Sequence, residues 1–190
     1  MGKKPAFVCI GHSIVNGFPH RRSECFVSQL REKLPQFDVI NKGENGDTAV
    51  GVQRRFEHDA LSKNPAYILI MTGTNDFILG MMDVDRMMKV LTELTEEANA
   101  RGSKVIHLTP ILCDSEKANV CWMPADYDSA NANLMKVAER MKEYAETNEM
   151  CQVIDLQSAY LDFNEFLDGI HPTVEGHRFI ADYIEKELLL

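Results

Sequence analysis

A serine hydroxyl becomes a useful nucleophile only when a neighbouring base takes its proton. Ser13, in Gly11-His12-Ser13-Ile14, directly follows a short apolar run. Asp168-Gly169-Ile170-His171-Pro172 supplies a base with a carboxylate close before it. On a turn, that spacing lets Asp168 reach the Nδ1–H of His171, fixing the tautomer and stabilising the imidazolium formed as Ser13 loses its proton. Two other segments can serve a developing negative oxygen. Gly46, in Asn41-Lys42-Gly43-Glu44-Asn45-Gly46-Asp47-Thr48, has no side chain to obstruct a reacting carbonyl, so its N–H can point at the charge. Asn75, in Gly73-Thr74-Asn75-Asp76, can add a side-chain amide. A nucleophile, a base, its orienting acid and oxyanion donors are the equipment of acyl transfer. Each residue also has a purely structural reading: Ser13 as a helix cap, Asp168 as a turn cap beside a solvated His171, Gly46 and Asn75 as turn residues.

The elements that must position these residues follow from hydrophobic periodicity. Apolar runs at 6–10, 37–41, 66–72, 104–109 and 152–156 read as strands. The third, Ala-Tyr-Ile-Leu-Ile-Met-Thr, is apolar on nearly every residue, as in a parallel sheet covered on both faces. Between them, 23–34, 48–62, 85–101, 129–147 and 173–188 carry apolar residues at helical spacing, with Ser23 suited to cap the first. Strands alternating with helices predict one α/β domain over 1–190, with right-handed crossovers. Two long connections, 110–128 with Trp122 and 157–172, follow strands and so lie at the carboxyl edge of the sheet, where open α/β folds bind ligands. Ser13, Gly46, Asn75 and His171 all fall at that same edge.

Taken together, these segments resemble the SGNH hydrolases, the GDSL-like esterase/lipase superfamily. Its blocks are matched by Gly11-His12-Ser13-Ile14, by Asn-x-Gly-x-x-Gly-x-Thr from Asn41 to Thr48, by Gly73-Thr74-Asn75-Asp76, and by Asp168-x-x-His171-Pro172, in the family's order over nearly the whole chain. The resemblance implies a flavodoxin-like three-layer α/β/α sandwich with a five-stranded parallel sheet in the order 2-1-3-4-5. It implies Ser13 as nucleophile, His171 as base and Asp168 as its acid. The oxyanion hole would comprise the Ser13 and Gly46 N–H groups and the Asn75 amide, with no metal or organic cofactor. One departure is His12, where the family has Asp; alternation at a strand end should turn it away from the Ser13 hydroxyl, so it is left out of the triad.

Composition narrows the partners. The formal net charge is −9, which opposes binding to nucleic acid or an anionic membrane surface. Five cysteines without a Cys-x-x-Cys fit free thiols in a reducing compartment, and Cys113 and Cys121 lack a second ligand pair for zinc. No signal-peptide core or membrane-length apolar run occurs, so a cytoplasmic location is expected. The expected reaction is hydrolysis of a small-molecule carboxylic ester with a short acyl group. Sugar O-deacetylation, thioester or lysophospholipid cleavage, and acyl transfer need the same machinery. A non-catalytic flavodoxin-like binding module is the rival of another class, although the glycine-rich loop lacks the Gly-Lys-Ser/Thr ending of a phosphate loop. The strand-end loops mix apolar residues (77–82, Trp122-Met123) with polar ones (114–117, 126–128), predicting a small, partly polar pocket.

Overall fold

The computed structural model describes residues 2 and 4–188. Five strands, β1 (Ala6–Gly11), β2 (Asp38–Gly43), β3 (Tyr67–Met71), β4 (Lys104–Leu108) and β5 (Cys151–Ile154), form one sheet in the order β2-β1-β3-β4-β5, every pair parallel. Period-two alternation splits their side chains between two cores. Phe7, Cys9, Leu69, Met71, Ile106 and Leu108 face one layer; Val8, Ile10, Ile68, Ile70 and Val105 face the other. The first layer holds α1 (Ser13–Asn16), α2 (Phe26–Lys33), α8 (Leu156–Phe163) and α9 (Val174–Glu187). The second holds α3 (Ala49–Asp59), α5 (Val84–Ala100) and α7 (Tyr127–Glu146), while the short α4 (Thr74–Ile78) and α6 (Ser115–Cys121) sit over the strand ends. The fold is thus an α/β/α sandwich. The chain runs from β1 outward to β2 on one side and then crosses back from β2 to β3 on the other, making the crevice beyond β1 and β3 the switch point of the sheet.

The structure corrects several expected boundaries. Ser23 caps nothing; it lies in a 3-10 turn (Arg22–Glu24), and α2 starts at Phe26 with Cys25 in the cap position. The second helix stops at Asp59 and gives way to a 3-10 turn, Leu61–Lys63. Each of the two long connections carries a helix. Asp114 accepts from the Lys117 N–H to start α6, and Asp155 accepts from the Ser158 N–H to start α8, so β5 ends before Leu156. Both are side-chain caps of the ordinary Asp type. Among the described residues, no helix is long and apolar enough to cross a membrane.

Candidate active site

Ser13 is the first residue of α1, and the cap before it is His12: its Nδ1 accepts the Ile14 N–H at 3.4 Å. His12 makes no hydrogen bond to Ser13 or His171 among the described residues, and its ring is fully enclosed. Burial, with the charge of nearby His171 adding to it, lowers its pKa to about 3, so the ring is neutral and acts as an acceptor at Nδ1.

At the other end of the chain, the turn after α8 builds an acid–base pair. Asp168 Oδ1 accepts the N–H groups of Ile170 (3.0 Å) and His171 (2.8 Å), and Oδ2 lies 2.8 Å from His171 Nδ1. Gly169, with φ +89°, makes the reversal possible; a Cβ there would lie 2.3 Å from the Ala118 backbone nitrogen of α6. Burial pushes the Asp168 carboxyl up, but the two backbone N–H groups and the imidazole outweigh it and hold its pKa below the ordinary value. A carboxylate only accepts, so Nδ1 carries the proton and Nε2 is left as an acceptor. Nε2 lies 2.9 Å from Ser13 Oγ, joining residues 158 positions apart in the chain.

The loop between β2 and α3 brings Gly46 to the same crevice. Gly46 has φ +74°, and a Cβ there would touch nothing. The constraint is therefore the left-handed backbone rather than crowding. Asn75, at the second position of α4, donates one Nδ2 proton to the Asp47 carbonyl at 2.8 Å, leaving its other amide proton available. Two residues that the motifs did not single out fix this loop. The buried carboxylate of Asp76 accepts the Ala49 N–H with both oxygens (3.1 and 3.0 Å). Arg55 donates to Asp47, Asp59, the Lys42 carbonyl and the Gly11 carbonyl, tying α3 to the ends of β1 and β2. Asp76 was visible as the last residue of Gly-Thr-Asn-Asp; nothing local marks Arg55.

Ser13, Gly46, Asn75 and His171 share a cavity of about 410 Å³ whose other walls include Phe18, Ile78, Trp122, Tyr127 and Ile170. That volume falls in the range that encloses small organic ligands. The cavity is partly polar through Ser13, Asn45, Asn75 and His171, but the polar residues at 114–117, 126 and 128 do not line it, because they are used elsewhere. Asp114 and Asp126 cap α6 and α7, and Ser115 donates to Asp128. The apolar residues are left to form the walls. Among the described residues, no cluster of three or more His, Cys, Asp or Glu side chains could hold a metal ion. Cys113 is buried near Asp168; burial and that charge raise its thiol to about 12.

Comparison with known proteins agrees with this architecture. The chain is 27% identical over 169 residues to an acetylxylan esterase of Geobacillus stearothermophilus, covering 79% of this chain and 71% of that protein. A lipolytic protein of the G-D-S-L family from Veillonella parvula superposes with a TM-score of 0.82 at 24% identity, covering 96% of this chain and 97% of that one. Another from Desulfitobacterium hafniense gives 0.81 at 20% identity, covering 96% and 99%. The model of the GDSL-like lipase/acylhydrolase family matches residues 9–179. A match of that extent, on this sheet and with these residues at its switch point, shows that the chain belongs to the GDSL-like lipase/acylhydrolase family and is a carboxylic ester hydrolase.

Proposed function

We propose that the chain cleaves its ester through an acyl-enzyme on Ser13. The observation that carries this reading is the continuous line from Asp168 Oδ2 through His171 to Ser13 Oγ, with links of 2.8 and 2.9 Å, opening into the cavity. His171 Nε2 accepts the hydroxyl proton as Oγ attacks the carbonyl carbon. The oxyanion is met by the N–H groups of Ser13 and Gly46 and the free amide proton of Asn75. The tetrahedral intermediate collapses as the imidazolium returns its proton to the departing alkoxide, and a water then repeats the cycle on the acyl group. Ser13→Ala should lower kcat on p-nitrophenyl acetate by a factor on the order of 10⁶ without loss of thermal stability, and should stop labelling by a fluorophosphonate. Retention of a tenth of the activity, a rough threshold far above that loss, would refute the assignment.

The acyl group is proposed to be short, about two to six carbons. Removal of acetyl groups from a carbohydrate is the second reading, supported by the acetylxylan esterase among the relatives. On either reading a cavity of about 410 Å³ exceeds what a short acyl group fills, so the alcohol portion must occupy much of it. Rates on p-nitrophenyl esters that climb steadily to twelve carbons or more (roughly twice the proposed length) would exclude the short-acyl reading. The five free cysteines support a cytoplasmic setting.

A further inference from the structure

The proton returned during ester cleavage comes from His171 Nε2, so the departing oxygen must come within hydrogen-bond reach, about 3 Å, of that atom. Whatever is bonded to that oxygen therefore lies against the walls nearest the imidazole. Two aromatic rings flank it. Phe18 meets it edge-on with centroids 4.9 Å apart, and Trp122 meets it at 5.5 Å, tilted by 51°. The two are not equivalent. Trp122 is 41% exposed and lines the cavity, and its indole N–H has no hydrogen-bond partner among the described residues. It offers a large apolar face and one unused donor at the place where the alcohol must lie. Such a surface matches a ring with C–H faces and peripheral hydroxyls.

We propose that Trp122 is the residue that selects the alcohol: a hydroxylated, saturated ring, such as a sugar, packs its C–H face on the indole while its ester oxygen meets His171. The proposal rests on the Ser13–His171 reading and goes beyond it by assigning the leaving-group wall. The position of the indole is coupled to that of the base. Trp122 caps the end of α6, and its backbone N–H donates to the Ala118 carbonyl within that helix. The start of the same helix is fastened to the catalytic turn by Asp114 N–H to Gly169 O (2.9 Å) and Lys117 Nζ to Phe166 O (2.6 Å). Platform and proton donor thus move as one body.

Trp122 is the only tryptophan in the chain, so its emission reports this contact directly. Titrating xylotriose into the Ser13→Ala protein should give a saturable emission change; titrating butyrate should give none. In kinetics, the ratio of kcat/KM for an acetylated methyl xyloside over ethyl acetate should fall at least about tenfold in Trp122→Ala, the loss of one good aromatic contact. Trp122→Phe should recover most of it. An emission response to butyrate but not to xylotriose would make Trp122 an acyl wall and overturn the proposal, as would an unchanged ratio. Xylotriose binding by a wild-type protein that shows no Ser13-dependent hydrolysis would instead overturn the acyl-enzyme reading and leave the Trp122 contact standing.

Discussion

At the scale of single residues, the crevice separates side chains that react from side chains that hold. His12 belongs with the second group: it spends its Nδ1 on the Ile14 N–H at the start of α1. Aspartate caps helices at least as well, so His12→Asp should remain an active esterase, with at most a displaced pH profile; complete inactivity would give His12 a role at the reacting atoms. On the proposed mechanism Asn75→Ala removes an oxyanion donor and should lower kcat by roughly 10²–10³ with a smaller change in KM. A pure KM effect would move Asn75 to substrate binding. The loop carbonyl of Asp47 also loses its partner in that variant, so a melting curve should accompany the kinetics. Asp76 and Arg55 show what motif reading does not reach: their contribution is to contacts, with Ala49, Gly11 and Lys42, that exist only once the chain has folded.

At the scale of elements, the turn that bears Asp168 and His171 leans on a helix that hydrophobic periodicity does not reveal. Gly169 passes so close to α6 that a methyl group would overlap the Ala118 nitrogen, and its φ of +89° is itself costly for any other residue. Gly169→Ala should therefore lose roughly 1–3 kcal/mol of stability from backbone strain alone, with more from the overlap, and should displace His171. Thermal melts and esterase rates check this, and an unaffected variant would show that the turn has room. The five strands were legible from apolar runs bounded by turn residues, their order only through the family resemblance, and α5, α7 and α9 from long amphipathic stretches. Helices α6 and α8 were not, because they are short and bury few residues; Ala118 is the one buried position of α6. Their caps at Asp114 and Asp155 were written in the sequence, but a lone Asp before a segment of only seven or eight residues reads equally as a loop. Which loop residues line the cavity was not legible for a related reason: composition counts every loop residue, whereas the helices turn the polar ones at 114–117, 126 and 128 away from it.

At the scale of the whole molecule, folding encloses three histidines as neutral rings. Burial lowers His107 to about 4; burial with neighbouring histidine charge lowers His12 and His177 to about 3. Each would titrate near 6.5 in the unfolded chain. As pH falls through 6.5, the unfolded state binds protons that the folded state refuses, so stability is full above that pH and declines toward the folded values. The loss can reach about 2 kcal/mol per histidine by pH 5. Asp168 acts in the same direction lower down: its folded pKa is depressed, so its contribution persists above the unfolded carboxylate pKa and fades beneath it. Denaturant melts at pH 7 and 5 should show this loss, and His107→Gln, which does not line the cavity, should make the slope shallower; equal stability at both pH values would contradict the buried neutral rings. The linkage of Ser13 to a base 158 positions later has a consequence for the chain as it is made. The hydroxyl is synthesised well before its partner, and on the proposed mechanism nothing activates it until the segment bearing His171 has followed and α9 has docked on α2, where Lys33 bridges Asp182 and Glu185. On that mechanism a nascent or truncated chain would be chemically silent. Two fragments cut between β5 and α8 should each be inert, and ester hydrolysis should appear only when they reassociate.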